Sequence, residues 1–549
     1  MDEFSILIGG KAGDGINQAG LLIARIFGQL GWHAYIYYDY PSLIRGGHNF
    51  SIIRLSKKRI SAHTNKINFL LALNQDTVDL HKNKLAQEAL VIYNSDLSKA
   101  EGIGVALEKI VKEENALAIM RNSCAIGSLC KAVNLSWEVL EKVFRKNISK
   151  EIDLNLRLAR RGYEAVSGVV KIESTTRKAL PLVTGNEAIG IGLYSAGLDT
   201  YIAYPMTPSS SLLHFLAEKA EYFGITVIHP ESEIGVMLLA LGFAYVGKKA
   251  AVGTSGGGFC LMTEGLSLSG MAELPVVIIL GQRPGPSTGL PTYSGQTELL
   301  FALNAAQGEF VRFVAAPGDA EEAYFWAQVA LNFAWKFQIP AIILSDKNLS
   351  EGSFNFDIGA IEEPKGCSPL LWDRNGEFKR YAESESGISP LTFVPDKDAV
   401  IKVNSYEHDE FGITTEESNT VVLMQDKRLR KEKYLIGELE NYPTIKAYGN
   451  LNSETILLCW GSNKGVCVEV AENLGLKAVC VAVLSPFCEE KLSKALMGSE
   501  KIICIENNAT GQFVRLISGF GFRVDKKILK YDGRPFSVEE LEEKVRKAL

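Results

Sequence analysis

Short apolar runs that alternate with helical patterns constrain the fold more than any other feature of this sequence. The first run, residues 4–8, leads through a glycine-rich turn into apolar residues at helical spacing. The pattern restarts near Leu182 and again near Thr455. Strands that alternate with helices predict parallel sheets covered on both faces. We therefore predict an α/β protein with three α/β domains and mostly parallel sheets.

Length and composition suggest where those domains end. A chain of 549 residues is long enough for about three domains or more. We predict a first domain over residues 1–175, a central domain over 176–352 and a C-terminal domain over 451–549. Residues 353–450 are rich in Glu, Asp, Ser and Pro and have weak periodicity, which predicts an irregular connecting segment. We expect its basic run at 427–431 to form a solvated face.

Charge and cysteine content exclude several classes of protein. Lys and Arg total 58 against 64 Asp and Glu, a net charge of −6, so the basic footprint of a dedicated nucleic-acid-binding protein is missing. No apolar run approaches the ~18 residues that cross a bilayer. The nine cysteines are scattered without a CxxC pair, which is typical of reduced thiols. We expect a cytoplasmic protein that binds neither nucleic acid nor membrane.

Two turns after strands of the central domain carry candidate site residues. Open α/β sheets bind ligands at the carboxyl ends of their strands. Pro205 and Thr207 follow the first of these strands, and Thr207 could cap the next helix with Pro208 at its first position. Glu231 and Glu233 follow the second strand. We expect Glu233 in the first turn of an apolar helix, where the helix dipole favours a carboxylate.

Two further turns follow the next strands. Thr254, Ser255 and Gly256 open a glycine-dense turn, which lets the backbone approach a ligand closely. Arg283 begins a stiff loop of Gly and Pro that runs to Thr292. A guanidinium group binds oxyanions through two parallel hydrogen bonds, so this loop suits a carboxylate or a phosphate.

Together these strings closely resemble the alpha subunit of 2-oxoacid:ferredoxin oxidoreductases, in the form that carries a gamma domain fused ahead of alpha. That form is found in the 2-oxoglutarate-type enzymes. The strings are YPMTPSS at 204–210, ESE at 231–233, TSG at 254–256 and RPGPSTGLPT at 283–292. The resemblance covers nearly the whole chain. Residues 10–15 and 42–47 look like the gamma domain, residues 379–381, 386–390 and 407–410 like the connection after the central domain, and residues 506–512 like the last domain.

The resemblance implies that the central domain binds the pyrimidine ring of thiamine diphosphate and that the last domain is similar to the C-terminal domain of transketolase. It implies that Glu233, rather than Glu231, bonds the ring nitrogen of the aminopyrimidine, because Gly242 follows nine residues later as in related thiamine enzymes. That bond favours the imino tautomer, which removes the thiazolium proton and makes the ylid.

The resemblance also assigns the remaining site residues. It places Thr207 beside the thiazolium and the substrate, and it places Arg283 and Thr292 at the substrate carboxylate. Met206 departs from the family's usual Ile, a volume-conserving change. The residues expected beside the cofactor are Pro205, Thr254, Ser255 and Gly256.

The activity that the resemblance implies is oxidative decarboxylation of a 2-oxoacid with coenzyme A as co-substrate. The form of the chain favours 2-oxoglutarate, but residues 290–297 offer no cation for its distal carboxylate, so pyruvate and branched-chain acids stay open. Iron–sulfur clusters need grouped cysteine thiolates, and we expect no metal ligands in this chain. A beta subunit is therefore expected to share the thiamine diphosphate and to bring Mg²⁺ and a [4Fe–4S] cluster, with ferredoxin as electron acceptor.

Alternative interpretations account for fewer of these residues. A non-catalytic paralogue would keep the fold but would have no need of Glu233, Thr207 and Arg283 together. An NAD(P) dehydrogenase would need the GxGxxG fingerprint, which residues 10–15 do not match. The Gly13-Asp14-Gly15 string lacks the Asn partner of a thiamine diphosphate motif, and we interpret it as a chance match. Adjacent residues of an extended segment point to opposite faces, so His408, Asp409 and Glu410 are unsuited to one metal ion.

Overall fold

The computed structural model describes residues 2–42 and 47–549. Contacts within the chain define two compact units. The first contains Met1–Val183, Gly352–Asp357 and Phe536–Glu543, and the second contains Thr184–Glu351, Ile358–Pro535 and Lys544–Leu549. The predicted boundaries at 175, 352 and 450 stay predictions, since the second unit combines the central and C-terminal regions. Of the string at 42–47, residues 43–46 lie outside the described residues.

The elements of the first third of the chain follow the predicted alternation. In chain order they are β1 (Glu3–Lys11), α1 (Ile16–Gln29), β2 (His33–Asp39), β3 (His48–Ser56), β4 (Ile67–Ala72), α2 (Gln75–His81), β5 (Leu85–Asn94), β6 (Ile103–Val105), α3 (Leu107–Glu113), α4 (Arg121–Ala132), α5 (Trp137–Asn147), α6 (Ile152–Glu164) and β7 (Leu182–Thr184).

The central elements alternate in the same way. They are α7 (Gly185–Ser195), β8 (Thr200–Ala203), α8 (Ser210–Phe223), β9 (Thr226–Ile228), α9 (Glu233–Tyr245), β10 (Ala250–Ser255), α10 (Gly256–Ala272), β11 (Val276–Gln282), α11 (Leu299–Asn304), β12 (Phe313–Ala315), α12 (Ala320–Phe337), β13 (Pro340–Asp346), α13 (Lys347–Glu351) and β14 (Ser353–Asn355).

The last part of the chain begins with a long helix. Its elements are α14 (Ser418–Leu439), β15 (Ile445–Gly449), β16 (Thr455–Trp460), α15 (Asn463–Leu474), β17 (Lys477–Val481), β18 (Val483–Ser485), α16 (Glu489–Leu496), β19 (Lys501–Glu506), α17 (Gln512–Ser518), β20 (Lys526–Leu529) and α18 (Val538–Ala548).

Three sheets confirm the predicted α/β class. The first has the strand order β6-β5-β4-β1-β3-β2-β14-β7 and is mixed, because β3 runs antiparallel to both β1 and β2. Its core includes Phe4, whose ring meets those of Phe27, Trp32 and Phe69 edge-on at centroid distances of 5.0 to 5.7 Å. Strands β7 and β14 flank the central region in sequence, yet both join this sheet.

The second and third sheets lie in the second unit and are mostly parallel. The second has the order β18-β12-β13-β11-β10-β8-β9, with only β18 antiparallel to its neighbour among the described pairs. The third has the order β15-β17-β16-β19-β20, with β15 antiparallel to β17. Near-continuous burial along β11 and β13 is what a parallel sheet covered on both faces requires.

Cysteines that are scattered in the sequence converge in the third sheet. Cys459 and Cys480 are register partners on β16 and β17, and their sulfur atoms lie 3.4 Å apart. Burial raises the pKa of Cys467 and of Cys504, which keeps these thiols uncharged. All nine cysteines are free. Within residues 2–42 and 47–549, no group of three or more His, Cys, Asp or Glu side chains is arranged to hold a metal ion.

The expectation of an irregular segment over 353–450 is wrong for part of its length. Residues 418–439 form the long helix α14, and residues 445–449 form an edge strand of the third sheet. The periodicity of α14 is weak because charged residues occupy its buried face. Lys427 is 0% exposed and Lys431 1% exposed, so the expected solvated face is wrong as well.

A buried carboxylate explains why lysines occupy that face. Glu273 follows α10 in the left-handed conformation at φ 50°, and its carboxylate accepts hydrogen bonds from Lys427 Nζ at 2.8 and 3.0 Å. Lys431 forms an ion pair with the same carboxylate. Arg380 donates to the backbone carbonyls of Ala272 and Glu273 at 3.1 and 2.8 Å. Burial alone would raise the pKa of Glu273, but these three cations hold it below its ordinary value.

The described part of the chain contains no helix both long and apolar enough to cross a membrane.

This buried ion cluster makes Glu273 a stability determinant. We expect Glu273→Gln to destabilise the protein by about 3–5 kcal/mol, because it leaves two lysines buried without a counter-charge. The measurement is the melting temperature at pH 7, compared with that of Glu309→Gln, which removes the same charge from an exposed position. Equal melting temperatures for the two variants would contradict the proposed importance of the cluster.

Candidate active site

The strand order of the second sheet reverses direction beside β8. Strand β9 lies on one side of β8 and the later strand β10 lies on the other, so the chain crosses back over β8. Such a reversal opens a crevice at the carboxyl ends of the strands. The turns after β8, β9, β10 and β11 begin at this edge, and they contain the predicted site residues.

Glu233 is buried at the start of α9. Its side chain is 5% exposed, whereas Glu231, two residues earlier, is exposed. Ser232 caps the helix by accepting a hydrogen bond from the backbone N–H of Gly235 at 3.5 Å. The structure therefore confirms the first-turn position of Glu233 and separates the environments of the two acids.

Helix α10 approaches Glu233 so closely that only glycine fits at the contact. A Cβ atom on Gly258 would lie 2.1 Å from Thr254 Oγ1 and 2.5 Å from Glu233 Oε1. The structure thus brings Glu233 and Thr254 together, as predicted for one site. Ser255 and Gly256 stand at the same end of α10, and Ser255 Oγ is buried without a hydrogen-bond partner among the described residues.

Arg283 and Thr207 meet through a backbone contact. Arg283 Nη1 donates to the carbonyl oxygen of Thr207 at 2.7 Å, and the guanidinium is 8% exposed. Thr207 does not cap helix α8, which corrects that expectation. The helix begins at Ser210 with Ser209 as its N-cap, because the intervening residues form a turn in which Ser209 Oγ donates to the carbonyl of Met206 at 2.8 Å. Thr207 is half-buried beside this turn.

A cavity of about 500 Å³ opens beside Arg283. Its lining joins the turn after β8, the start of α10 and the loop after β11. Among the described residues that line it, Arg283 has the one basic side chain and Glu298 the one acidic side chain. The lining residues are Met206, Gly256, Gly257, Cys260, Arg283, Gly285, Pro286, Ser287, Thr288, Thr297, Glu298 and Phe301.

Of the eight predicted site residues, Arg283 and Gly256 line this cavity and the other six lie outside its lining. Pro205 is exposed at the end of β8. Thr292 is 6% exposed, and its hydroxyl has no hydrogen-bond partner within the part of the chain that the structure describes. A buried hydroxyl without a hydrogen-bond partner is uncommon in folded proteins, and a bound ligand could supply that partner.

The third sheet holds the loop that carries Glu298, which sequence reasoning missed. Gln296 donates from its backbone to the carbonyl of Asn507 at 2.8 Å and from Nε2 to the carbonyl of Trp460 at 2.9 Å. Gln512 donates from Nε2 to the carbonyl of Thr297 at 2.7 Å. The string at 506–512 therefore positions the loop that carries Glu298, a connection between distant segments that no local sequence signal reveals.

The chance match at residues 13–15 and the string at residues 408–410 both make local structural contacts. Asp14 accepts a hydrogen bond from the backbone N–H of Lys11 at 2.8 Å and pairs with Arg121 at 3.1 Å. His408 is buried against the ring of Tyr381 at a centroid distance of 3.9 Å. Asp409 accepts from the backbone of its own turn.

An apolar surface lies next to the buried Glu233. Ile234 and Leu238 of α9 and its C-cap residue Val246 are 47%, 47% and 41% exposed, and Leu261 of α10 is 48% exposed. We call these four residues the α9 face. A group of exposed large apolar residues marks an interaction surface.

Comparisons with known proteins agree with this geometry. A family model described as the thiamine-diphosphate-binding part of pyruvate flavodoxin/ferredoxin oxidoreductase matches residues 191–427. A second model, described as pyruvate ferredoxin/flavodoxin oxidoreductase, matches residues 5–165. These ranges contain the site and most of the first sheet.

Similar proteins carry related names. A 2-oxoacid:ferredoxin oxidoreductase subunit alpha from Sulfolobus sp is 29% identical over 619 residues, covering 100% of this chain and 97% of the relative. A 2-oxoglutarate oxidoreductase subunit from Mycobacterium tuberculosis is 30% identical over 382 residues, covering 67% of this chain and 57% of the relative. A solved structure of 2-oxoglutarate:ferredoxin oxidoreductase from Magnetococcus marinus matches this chain with a TM-score of 0.90 at 26% identity. That structure contains bound 2-oxoglutarate, coenzyme A and succinyl-CoA, and the match covers 100% of this chain and 99% of the solved chain.

The fold, the site and these similarities define a thiamine-diphosphate-dependent oxidoreductase subunit. The chain belongs to the 2-oxoacid:ferredoxin oxidoreductase family, as an alpha subunit. The resemblance that the sequence motifs indicated is confirmed, together with the thiamine-diphosphate-binding character of the central region.

The contact between α10 and Glu233 can be tested with two neighbouring glycines. We expect Gly258→Ala to lower the melting temperature, because its Cβ collides with Thr254 and Glu233. Gly257→Ala is the matched control. Its Cβ would meet nothing closer than 3.7 Å, and alanine favours a helix by about 1 kcal/mol over glycine. If Gly258→Ala were as stable as Gly257→Ala, the close contact would be wrong.

Proposed function

We propose that this chain forms the pyrimidine half of the active site of a coenzyme-A-acylating enzyme that oxidatively decarboxylates a 2-oxoacid, 2-oxoglutarate first among them. The observation that carries the proposal is the buried carboxylate of Glu233 at the reversal point of the second sheet, on the same edge as the cavity of Arg283. A carboxylate at this crevice suits a cofactor that needs a proton relay. A guanidinium at the same crevice suits a substrate that is an anion.

The residues present fit the pyrimidine ring of thiamine diphosphate. Glu233 is buried, is shielded by Gly258 and lies beside an apolar face, so its carboxylate can share a proton with a ring nitrogen away from water. Ser255 adds an unpartnered buried hydroxyl at the start of α10. When bound, thiamine diphosphate supplies a carbon nucleophile for the keto carbon and an acceptor for the electron pair that is left when CO₂ departs.

Arg283 and Thr207 orient the substrate in this proposal. The bond from Arg283 Nη1 to the Thr207 carbonyl fixes the guanidinium, which leaves its other N–H groups for the substrate carboxylate. The buried hydroxyl of Thr292 is a further donor for that carboxylate. Thr207 lies where the keto group would approach the cofactor.

A partner chain completes the site. The α9 face is apolar and exposed, and a Cβ atom on Gly242 would meet nothing within 4 Å, so another chain can approach this stripe of α9 closely. We assign the face to a beta subunit that binds the diphosphate through Mg²⁺ and carries a [4Fe–4S] cluster. Electrons would leave through that cluster to ferredoxin. The free thiols and the ferredoxin-linked reaction favour a cytoplasmic location.

The names of similar proteins and the charges of the cavity lining support the proposed substrate class. Two similar proteins are named for 2-oxoglutarate, which supports that acid as the first candidate. Arg283 is the one cation among the described residues of the cavity lining, so the distal carboxylate of 2-oxoglutarate needs a cation from the partner. Pyruvate and branched-chain 2-oxoacids, which lack that carboxylate, are the alternatives to include in the assay.

The central test removes the carboxylate of Glu233. We expect Glu233→Gln to lower viologen reduction by ~100-fold or more, because a neutral amide cannot relay the proton. The assay uses the chain purified anaerobically with its native partner, coenzyme A and a panel of 2-oxoacids.

Glu231→Gln is the matched control and should keep wild-type activity, since Glu231 is exposed. A wild-type complex that binds thiamine diphosphate and contains intact clusters but oxidises no 2-oxoacid would instead identify a non-catalytic paralogue.

A further inference from the structure

Glu298 is the one acidic residue of the cavity lining, and the proposed reaction does not use it. It stands immediately before α11 as the N-cap residue, and its side chain is 8% exposed. Its backbone N–H donates to Gln282 Oε1 at 3.3 Å. The loop before it is held by Gln296 and Gln512, as described above, so the carboxyl group has a defined position.

The two oxygen atoms of Glu298 have different environments. Oε1 accepts a hydrogen bond from Thr297 Oγ1 at 2.7 Å. It also lies against the backbone of Gly256, where a Cβ would come within 2.6 Å of it. Oε2 is buried and has no hydrogen-bond partner among the described residues. A buried oxygen without a hydrogen-bond partner is costly for an ionised carboxylate, which favours the protonated, neutral form of Glu298.

Few other charges face this carboxyl group. Arg283 contributes the one positive charge of the described lining, and Cys260 is the one other titratable lining residue. Gln282 and Gln512, which contact this loop from β11 and α17, are neutral. Glu233 meets α10 at Gly258, two residues beyond Gly256, and faces Thr254 there.

We propose that Glu298 is protonated when the cavity holds the 2-oxoacid anion, so that the substrate anion and one proton from solvent enter together. This inference rests on the proposed function, because it concerns the substrate of the same cavity. The step is a proton transfer only, and the proton returns to solvent when the carboxylate charge leaves as CO₂.

Electrostatics require this coupling. An ionised Glu298 would offset the charge of Arg283 and repel the substrate carboxylate across a buried cavity, where charges are weakly screened. Burial raises the pKa of Glu298 to about 7, against the opposing effects of the Thr297 hydrogen bond and the charge of Arg283. The free enzyme is therefore poised to take up a proton near neutral pH.

The first experiment compares the pH dependence of KM in the assembled enzyme between pH 6.5 and 8.5. For wild type, we expect KM for the 2-oxoacid to rise about tenfold from pH 7 to 8.5 as Glu298 ionises. Glu298→Gln should keep a low KM that is independent of pH, because its amide is neutral at every pH, as the protonated acid is. Glu309→Gln, an exposed substitution with the same charge change, should follow wild type.

The outcomes separate the two proposals. A wild type that oxidises a 2-oxoacid but shows the same KM profile as Glu298→Gln overturns the role of Glu298 and leaves the proposed function intact. A wild type that oxidises no 2-oxoacid overturns both. If Glu298→Gln did not fold, calorimetry of wild type with oxamate, an unreactive 2-oxoacid analogue, would decide. We expect uptake of up to one proton at pH 7.5 across buffers of different ionisation enthalpy, and zero uptake would refute the proposal.

Discussion

The reversal of strand order between β8 and β10 is the constraint on which the site depends. Because β9 and β10 lie on opposite sides of β8, the turns that follow neighbouring strands diverge and leave a crevice between them. Glu233, Thr207 and Arg283 come from three of those turns, yet they share one edge of the sheet. Without this reversal, the same spacing in the sequence would not bring the three side chains to one crevice. The tight contact of α10 at Gly258 then fixes Glu233 in a buried position.

Two buried acids of the second unit show how environment sets the charge of the same functional group. Glu273 is surrounded by Lys427, Lys431 and Arg380, so it is ionised and holds α14 against the end of α10. Glu298 has a single cation nearby, and burial dominates its titration. The first acid is a structural anchor. The second is suited to exchange a proton when an anion enters the cavity.

The sequence predicted the α/β class, the turns that carry the site and the family, because strand–helix alternation and turn residues are local signals. It also selected Glu233 over Glu231 as the acid that bonds the cofactor ring, which stays a prediction, and the structure buries Glu233 but exposes Glu231. The predictions from sequence are wrong where contacts between distant segments determine which residues are buried. The local pattern predicts that the lysines of α14 are solvated, because their partner, Glu273, lies about 150 residues earlier in the chain. Glu298 escaped notice because its burial depends on Gln296 and the third sheet. Thr207 does not cap helix α8, because the helix begins at Ser210 with Ser209 at the N-cap position.

The central claim is that this chain presents Glu233 to the pyrimidine ring of a thiamine diphosphate shared with a partner seated on the α9 face. The most direct measurement is a cryo-electron microscopy map of the anaerobically purified complex with the cofactor bound. The account predicts a Glu233 carboxylate oxygen within hydrogen-bond distance, about 2.6–3.2 Å, of a pyrimidine ring nitrogen, with Arg283 facing the cavity beyond it. A cofactor ring bound elsewhere, or an α9 face left in solvent, would contradict it.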